Sequence, residues 1–245
     1  TLFERGEYEH ALTMAEKALE GAEDALGPES REVATILGDL GALHETRGRY
    51  VIAEPLYERA LAIRDKTLPP DHPDLLLSLE SLARARCALN RCAESEVLCR
   101  RVLTIQERIL GPDHASVADS LGDLVEVCAS QRRYAEAESL SRRALAIRER
   151  AFGPEHPRVA RSLEDLAGLS VAQHDFADAE RMYQQALAIR EKTSGADHPS
   201  VATSLGLLAA LRVADCVPDA ACGADAIRLR MCAVILPPGS SGGCS

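Results

Sequence analysis

The run His156-Pro157-Arg158-Val159-Ala160-Arg161-Ser162-Leu163-Glu164-Asp165-Leu166-Ala167-Gly168-Leu169 spaces its apolar residues as a helix with one buried side does. Val159, Leu163, Leu166 and Ala167 stand at i, i+4, i+7 and i+8, the stripe of an amphipathic helix. Pro157 suits a first helical turn, where a missing N–H forfeits no bond. Glu155, just ahead of it, complements the helix dipole.

The opening of this run recurs along the chain. Pro70-Asp71-His72-Pro73, Pro112-Asp113-His114, Pro154-Glu155-His156-Pro157 and Asp197-His198-Pro199 place histidines 72, 114, 156 and 198 at steps of 42 residues. Gly27-Pro28-Glu29-Ser30 is an earlier, weaker copy in phase with them. Tyr8, Tyr50, Cys92, Tyr134 and Phe176 keep the same step, as do Ala60-Leu61, Val102-Leu103, Ala144-Leu145 and Ala186-Leu187. A fixed period of this length marks a repeat architecture.

Each unit also contains a second, longer helical pattern. Tyr134, Ala137, Leu140, Ala144, Leu145 and Ile147 predict a helix reaching about Ala151, and Gly111 and Gly153 fit a left-handed stop after it. Pro55 is expected in the first turn of its helix. Small residues mark close helix approach: Ala53, Ala137 and Ala179 on second helices, Gly41, Ala83, Ala167 and Ala209 on first ones. One hairpin cannot hide its apolar faces alone, so the units must stack. The prediction is an all-α chain of stacked antiparallel helix hairpins over 7–217. Residues 1–6 read as the end of a truncated repeat helix, 218–236 as a degenerate capping helix and 237–245 as a flexible tail.

The units Tyr134 to Arg150 and His156 to Leu169 resemble the 42-residue tetratricopeptide repeats of kinesin light chains, and bacterial tandem arrays of the same class are equally similar. The resemblance covers roughly residues 8 to 217. It implies a right-handed superhelical α-solenoid whose first helices line a concave, peptide-binding groove. One departure is clear: the Asn pair usual in light-chain first helices is replaced by Gly38-Asp39, Glu80-Ser81, Gly122-Asp123, Glu164-Asp165 and Gly206-Leu207. Asn donates and accepts at once, whereas a carboxylate only accepts. The light-chain preference for acidic peptides carrying Trp is therefore not expected here.

Projected onto that inner face, the first helices contribute Thr35, Gly38, Ala42 and Glu45, then Leu77, Glu80 and Arg84. Asp119, Gly122 and Glu126 follow, then Arg161, Glu164 and Gly168, and finally Thr203, Gly206 and Ala210, with Asp39, Asp123 and Asp165 one residue further round. Acids outnumber bases, with Arg84 and Arg161 the opposing charges. The expectation is an acidic, Gly-lined groove for a Lys- or Arg-bearing peptide or helix. The plainer alternative is a solvated face whose charges pair within their own helices.

Composition narrows the rest. A net charge of −10, 3 % aromatic residues and no Trp argue against nucleic acid and anionic lipid as partners. No apolar run is long enough to span a membrane. Phosphate-loop, nucleophile-elbow, zincin and dinucleotide motifs are absent, so no enzyme activity and no cofactor are expected. The four in-phase histidines cannot share a metal: repeats stack about 10 Å or more apart, while metal–nitrogen bonds are about 2 Å. Capping or packing at the inter-helix turn is their expected role, and no metal site is predicted. Cys87, Cys92, Cys99 and Cys128 read as thiols in a reducing cytoplasm, and pairing among Cys216, Cys222, Cys232 and Cys244 stays open. The function expected is a protein-interaction scaffold. Alternatives are a sensor or regulatory module of a larger bacterial signalling protein, and a light-chain-type cargo adaptor.

Overall fold

In the computed structural model, residues 2–215 are described. They contain ten α-helices: α1 (Leu2–Leu26), α2 (Arg31–Thr46), α3 (Tyr50–Thr67), α4 (Pro73–Ala88), α5 (Cys92–Leu110), α6 (Ala115–Ser130), α7 (Tyr134–Phe152), α8 (Pro157–Ala172), α9 (Phe176–Ser194) and α10 (Pro199–Asp215). No strand occurs among these residues, and no described helix is long and apolar enough to cross a membrane. The chain is all-α, with first helices α2, α4, α6, α8 and α10 alternating with longer second helices. It divides into two compact units, Thr1–Ile109 and Leu110 onward. The proposed capping helix, the tail and the last four cysteines lie outside the described residues.

In the first unit, Val33, Ala34 and Leu37 of α2 pack with Ala60 and Ile63 of α3, and Leu19 and Ala22 of α1 lie against them. Gly41 is required at one contact, because a Cβ there would stand 2.5 Å from Cε1 of Tyr57. In the next two hairpins a larger residue meets a smaller partner, Ala83 with Cys99 and Val125 with Ser141, as a close-packed interior demands, whereas Ala167 stands with Tyr183 in the α8–α9 hairpin. In the second unit, Val159, Leu163 and Leu166 of α8 pack with Ala179, Met182, Tyr183 and Ala186 of α9 and with Leu208 and Leu211 of α10.

The recurring histidines cap helices. Nδ1 of His72, His114, His156 and His198 accepts from the backbone N–H of Asp74, Ser116, Arg158 and Ser200, each at 3.2 Å. This satisfies one of the orphan donors at each helix start. The same end of each hairpin, where the second helix finishes beside the start of the first, is tied by a charge pair in a fixed register: Lys66–Glu29, Arg108–Asp71, Arg150–Asp113 and Lys192–Glu155. Gly111 and Gly153 carry the expected positive φ of 86°. The tighter turns between first and second helices use Gly48, Asn90, Arg132 and His174 at φ of 60° to 68°.

Two local expectations differ from the structure. Pro55 is the sixth residue of α3, past the donors that a helix start leaves free, and α3 nonetheless continues to Thr67. Pro55 and Val51, the residue four before it, are both exposed, so the one lost bond falls at a solvated edge. The helix end expected at Gly6 is also missing: α1 runs unbroken from Leu2 to Leu26. Glycine accepts helical as readily as left-handed backbone, and at this position it is helical.

Candidate functional site

The residues projected from the sequence all lie on first helices. In the first unit, α2 exposes Thr35 and Asp39 with Gly38 and Glu45 half-buried, while α4 exposes Leu77 and Arg84 with Glu80 half-buried. In the second unit, α6 exposes Asp119, Asp123 and Glu126 with Gly122 half-buried, and α8 exposes Arg161 with Glu164 and Asp165 half-buried. Thr203 and Gly206 of α10 are exposed. Gly168 departs from the projection. It is buried in α8, since a residue with no side chain reaches no further out than the neighbours that cover it.

Successive first helices are joined by side chains from the second helices. Arg148 of α7 donates through Nη2 to Asp119 Oδ1 at 2.9 Å and to the Ala118 carbonyl at 3.2 Å, and through Nη1 to Ser162 Oγ of α8 at 2.6 Å. Arg190 of α9 pairs with Glu164 and reaches the Ser200 carbonyl of α10. Ser204 of α10 donates to the other Glu164 oxygen at 2.5 Å. In the first unit, Gln106 of α5 donates to Glu80 at 3.3 Å, and Arg64 of α3 donates to Ser78 of α4 beneath Gly38. Tyr57 Oη donates to Glu45 at 2.6 Å, and Arg84 pairs with the same carboxylate.

These contacts correct the expected charge balance. Arg84 and Arg161 are not the only cations facing the acids; Arg148 and Arg190 reach them from below, and Arg158 lies 3.7 Å from Asp119. The projection of first helices alone could not show this. The signal was nevertheless present: Ile63-Arg64, Ile105-Gln106, Ile147-Arg148 and Ile189-Arg190 place a polar residue in phase beside a core isoleucine.

Two carboxyls in the second unit stand out electrostatically. Partial burial among the helices pushes Glu126 up to about 7, helped by the negative charges of Asp123 and Asp165 and opposed by Arg161. Burial likewise pushes Asp165 up to about 6, with Arg161, Arg148 and Arg190 pulling the other way. Burial, with Glu164 and Asp165 nearby, raises the Tyr183 phenol as well. Burial disfavours ionisation of both, and like charge adds to it at Glu126, whereas the charges around Asp165 are mostly arginines.

A tetratricopeptide repeat family model matches residues 1–66, 74–148, 122–192 and 171–221. Among solved structures, a putative kinesin light chain of Podosopora anserina with nearly identical TPR-like repeats is similar, at 27% identity over 78% of this chain and 90% of that one, with a TM-score of 0.71. BtubC (BKLC) from P. vanneervenii shares the fold at 22% identity, covering 97% of this chain and 96% of that one, with a TM-score of 0.67. No curated protein matches the chain. Helix hairpins in a fixed register, His-capped first helices and the family match together identify the chain as a member of the tetratricopeptide repeat family.

Proposed function

We propose that the chain is a protein-interaction scaffold whose first-helix faces hold a peptide or helix of a partner, without catalysis, and that the second unit favours a Lys- or Arg-bearing segment. Repeats of this family support the scaffold role. The preference for basic segments rests on the clustering of Asp123, Glu126 and Asp165 on α6 and α8, where burial raises Glu126 and Asp165 and the neighbouring acids add to this at Glu126. A lysine ammonium or arginine guanidinium brought to them replaces the proton and relieves their mutual repulsion. In the first unit the face is less charged, exposing Leu77 and Thr35 and pairing Arg84 with Glu45, and takes the uncharged part of a segment. The soluble, thiol-bearing chain is assigned to the cytoplasm on the same footing, and nucleic acid and membrane are not its partners in this reading.

Selection of random peptides on the full chain tests this directly. Enrichment of Lys and Arg, lost when selection is repeated on a Glu126→Gln, Asp165→Asn variant, supports it. A selected pool with no basic excess contradicts it.

A further inference from the structure

One register on the second helices sits beneath the first-helix face in every described hairpin that has both helices. It holds Arg64, Gln106, Arg148 and Arg190, at 42-residue steps. All four are largely withdrawn from solvent: Arg64 is 5% exposed and Gln106 8%, and the Arg148 and Arg190 side chains are 13% and 16% exposed. Their partners come from the first helices. A serine in the following first helix recurs as Ser78, Ser162 and Ser204, each buried, bonded to Arg64, to Arg148 and to Glu164 respectively. The carboxylate varies with the hairpin. Arg148 holds Asp119, Arg190 holds Glu164, Gln106 holds Glu80, and opposite Arg64 the corresponding places are Thr35 and Gly38.

An arginine at this register is an internal cation delivered to the face from behind. In the second unit the carboxylates Asp119, Asp123, Glu126, Glu164 and Asp165 face the guanidiniums of Arg148, Arg158, Arg161 and Arg190. Two of those four cations come from the register. Gln106 shows that the fold accepts a neutral amide of similar reach in the same place, still bonded to its carboxylate.

We propose that this register is the charge-specificity determinant of the face: Arg148 and Arg190 occupy its carboxylates and restrain its attraction for basic segments, and glutamine there releases it. The inference rests on the reading that the face takes a basic partner segment. It assigns the choice of partner charge to residues that a bound segment does not touch, so partner charge can change hairpin by hairpin without altering the contact surface.

The experiment compares three double variants of the full chain with wild type, using fluorescein-labelled decalysine as the probe. Arg148→Gln with Arg190→Gln removes both internal cations. Arg142→Gln with Arg181→Gln removes the same net charge from exposed arginines paired within their own helices, to Glu138 and Asp178. Arg148→Lys with Arg190→Lys keeps the charge and changes the shape. At low ionic strength the first variant binds about fivefold more tightly than the second, because its charge change is close to the site and little screened. The lysine variant stays near wild type. A second readout is the titration midpoint of Asp165 by NMR, which rises in the first variant and stays put in the second, since Arg148 and Arg190 both hold it down. An unmoved midpoint, or equal tightening in the first two variants, overturns the role of the register. A raised midpoint with unchanged decalysine affinity overturns instead the reading that this face takes basic segments, and the specificity assignment with it.

Discussion

The ring of Tyr57 occupies the space where a side chain on Gly41 would stand, with Cε1 2.5 Å, Cδ1 2.8 Å and Cζ 2.9 Å from the Cβ position. Tyr57 is 2% exposed and its hydroxyl is held by Glu45, so the ring cannot swing away cheaply. Gly41→Ala is therefore expected to destabilise the first unit by about 1–3 kcal/mol, the range for overpacking. Shrinking the partner as the next two hairpins do, with Tyr57→Ser or Tyr57→Cys, should make Gly41→Ala nearly neutral. Thermal unfolding of the two single variants and the double one measures this coupling.

Arg132 sits at φ 60° in the turn between α6 and α7, where the equivalent residue two hairpins earlier is Gly48 at φ 68°. Left-handed backbone costs an ordinary residue roughly 1 kcal/mol. Arg132→Gly should raise stability by up to about 1 kcal/mol, with the unfolded-state entropy of glycine taking part of the gain back. Denaturant midpoints at unchanged slope show it, and a fall in the midpoint contradicts it.

His114 accepts the Ser116 N–H at the start of α6. Replacing it by alanine leaves that donor to water and should cost about 1 kcal/mol, while asparagine, a good capping residue, should recover most of it. Hydrogen exchange in the first turn of α6 is the sensitive measure, with faster exchange in His114→Ala alone.

Glu126 and Asp165 make the second unit sensitive to pH. Their folded-state values, about 7 and about 6, lie above those of free carboxyls, so the folded chain keeps protons that the unfolded chain has already released. The stability that these protons confer is complete below the ordinary carboxyl range and declines as pH rises through 6 and 7. Solvent contact at Glu126 keeps the effect small. Affinity for a cationic segment runs the other way and rises with pH across the same window. NMR titration of the two carboxyls should give midpoints near these values, and Glu126→Gln should flatten both profiles.

Much of this was legible before any coordinates. The 42-residue step of the histidines, the apolar stripes and the Gly153 stop specify hairpins, because each reports a local backbone or burial need. His72 through His198 are legible as turn residues that cap or pack, and the structure selects capping. What the sequence hid was contact between helices. Arg148 and Asp119 are 29 residues apart, and only the antiparallel pairing of α6 with α7 brings them together. Pro55 was misplaced by a turn because helix starts are set by capping and packing, not by proline alone. Gly168 was assigned to an open surface because periodicity gives direction around a helix but not how high the neighbouring residues stand.

The most direct test of the account compares binding of one selected basic peptide to two charge-matched variants of the full chain. Glu126→Gln with Asp165→Asn alters the first-helix face, while Glu149→Gln with Glu191→Gln alters exposed positions on the second helices. The account predicts a loss of about tenfold or more for the first pair, as for central interface residues, and little change for the second. Equal losses in both, or a loss confined to the second pair, would contradict it.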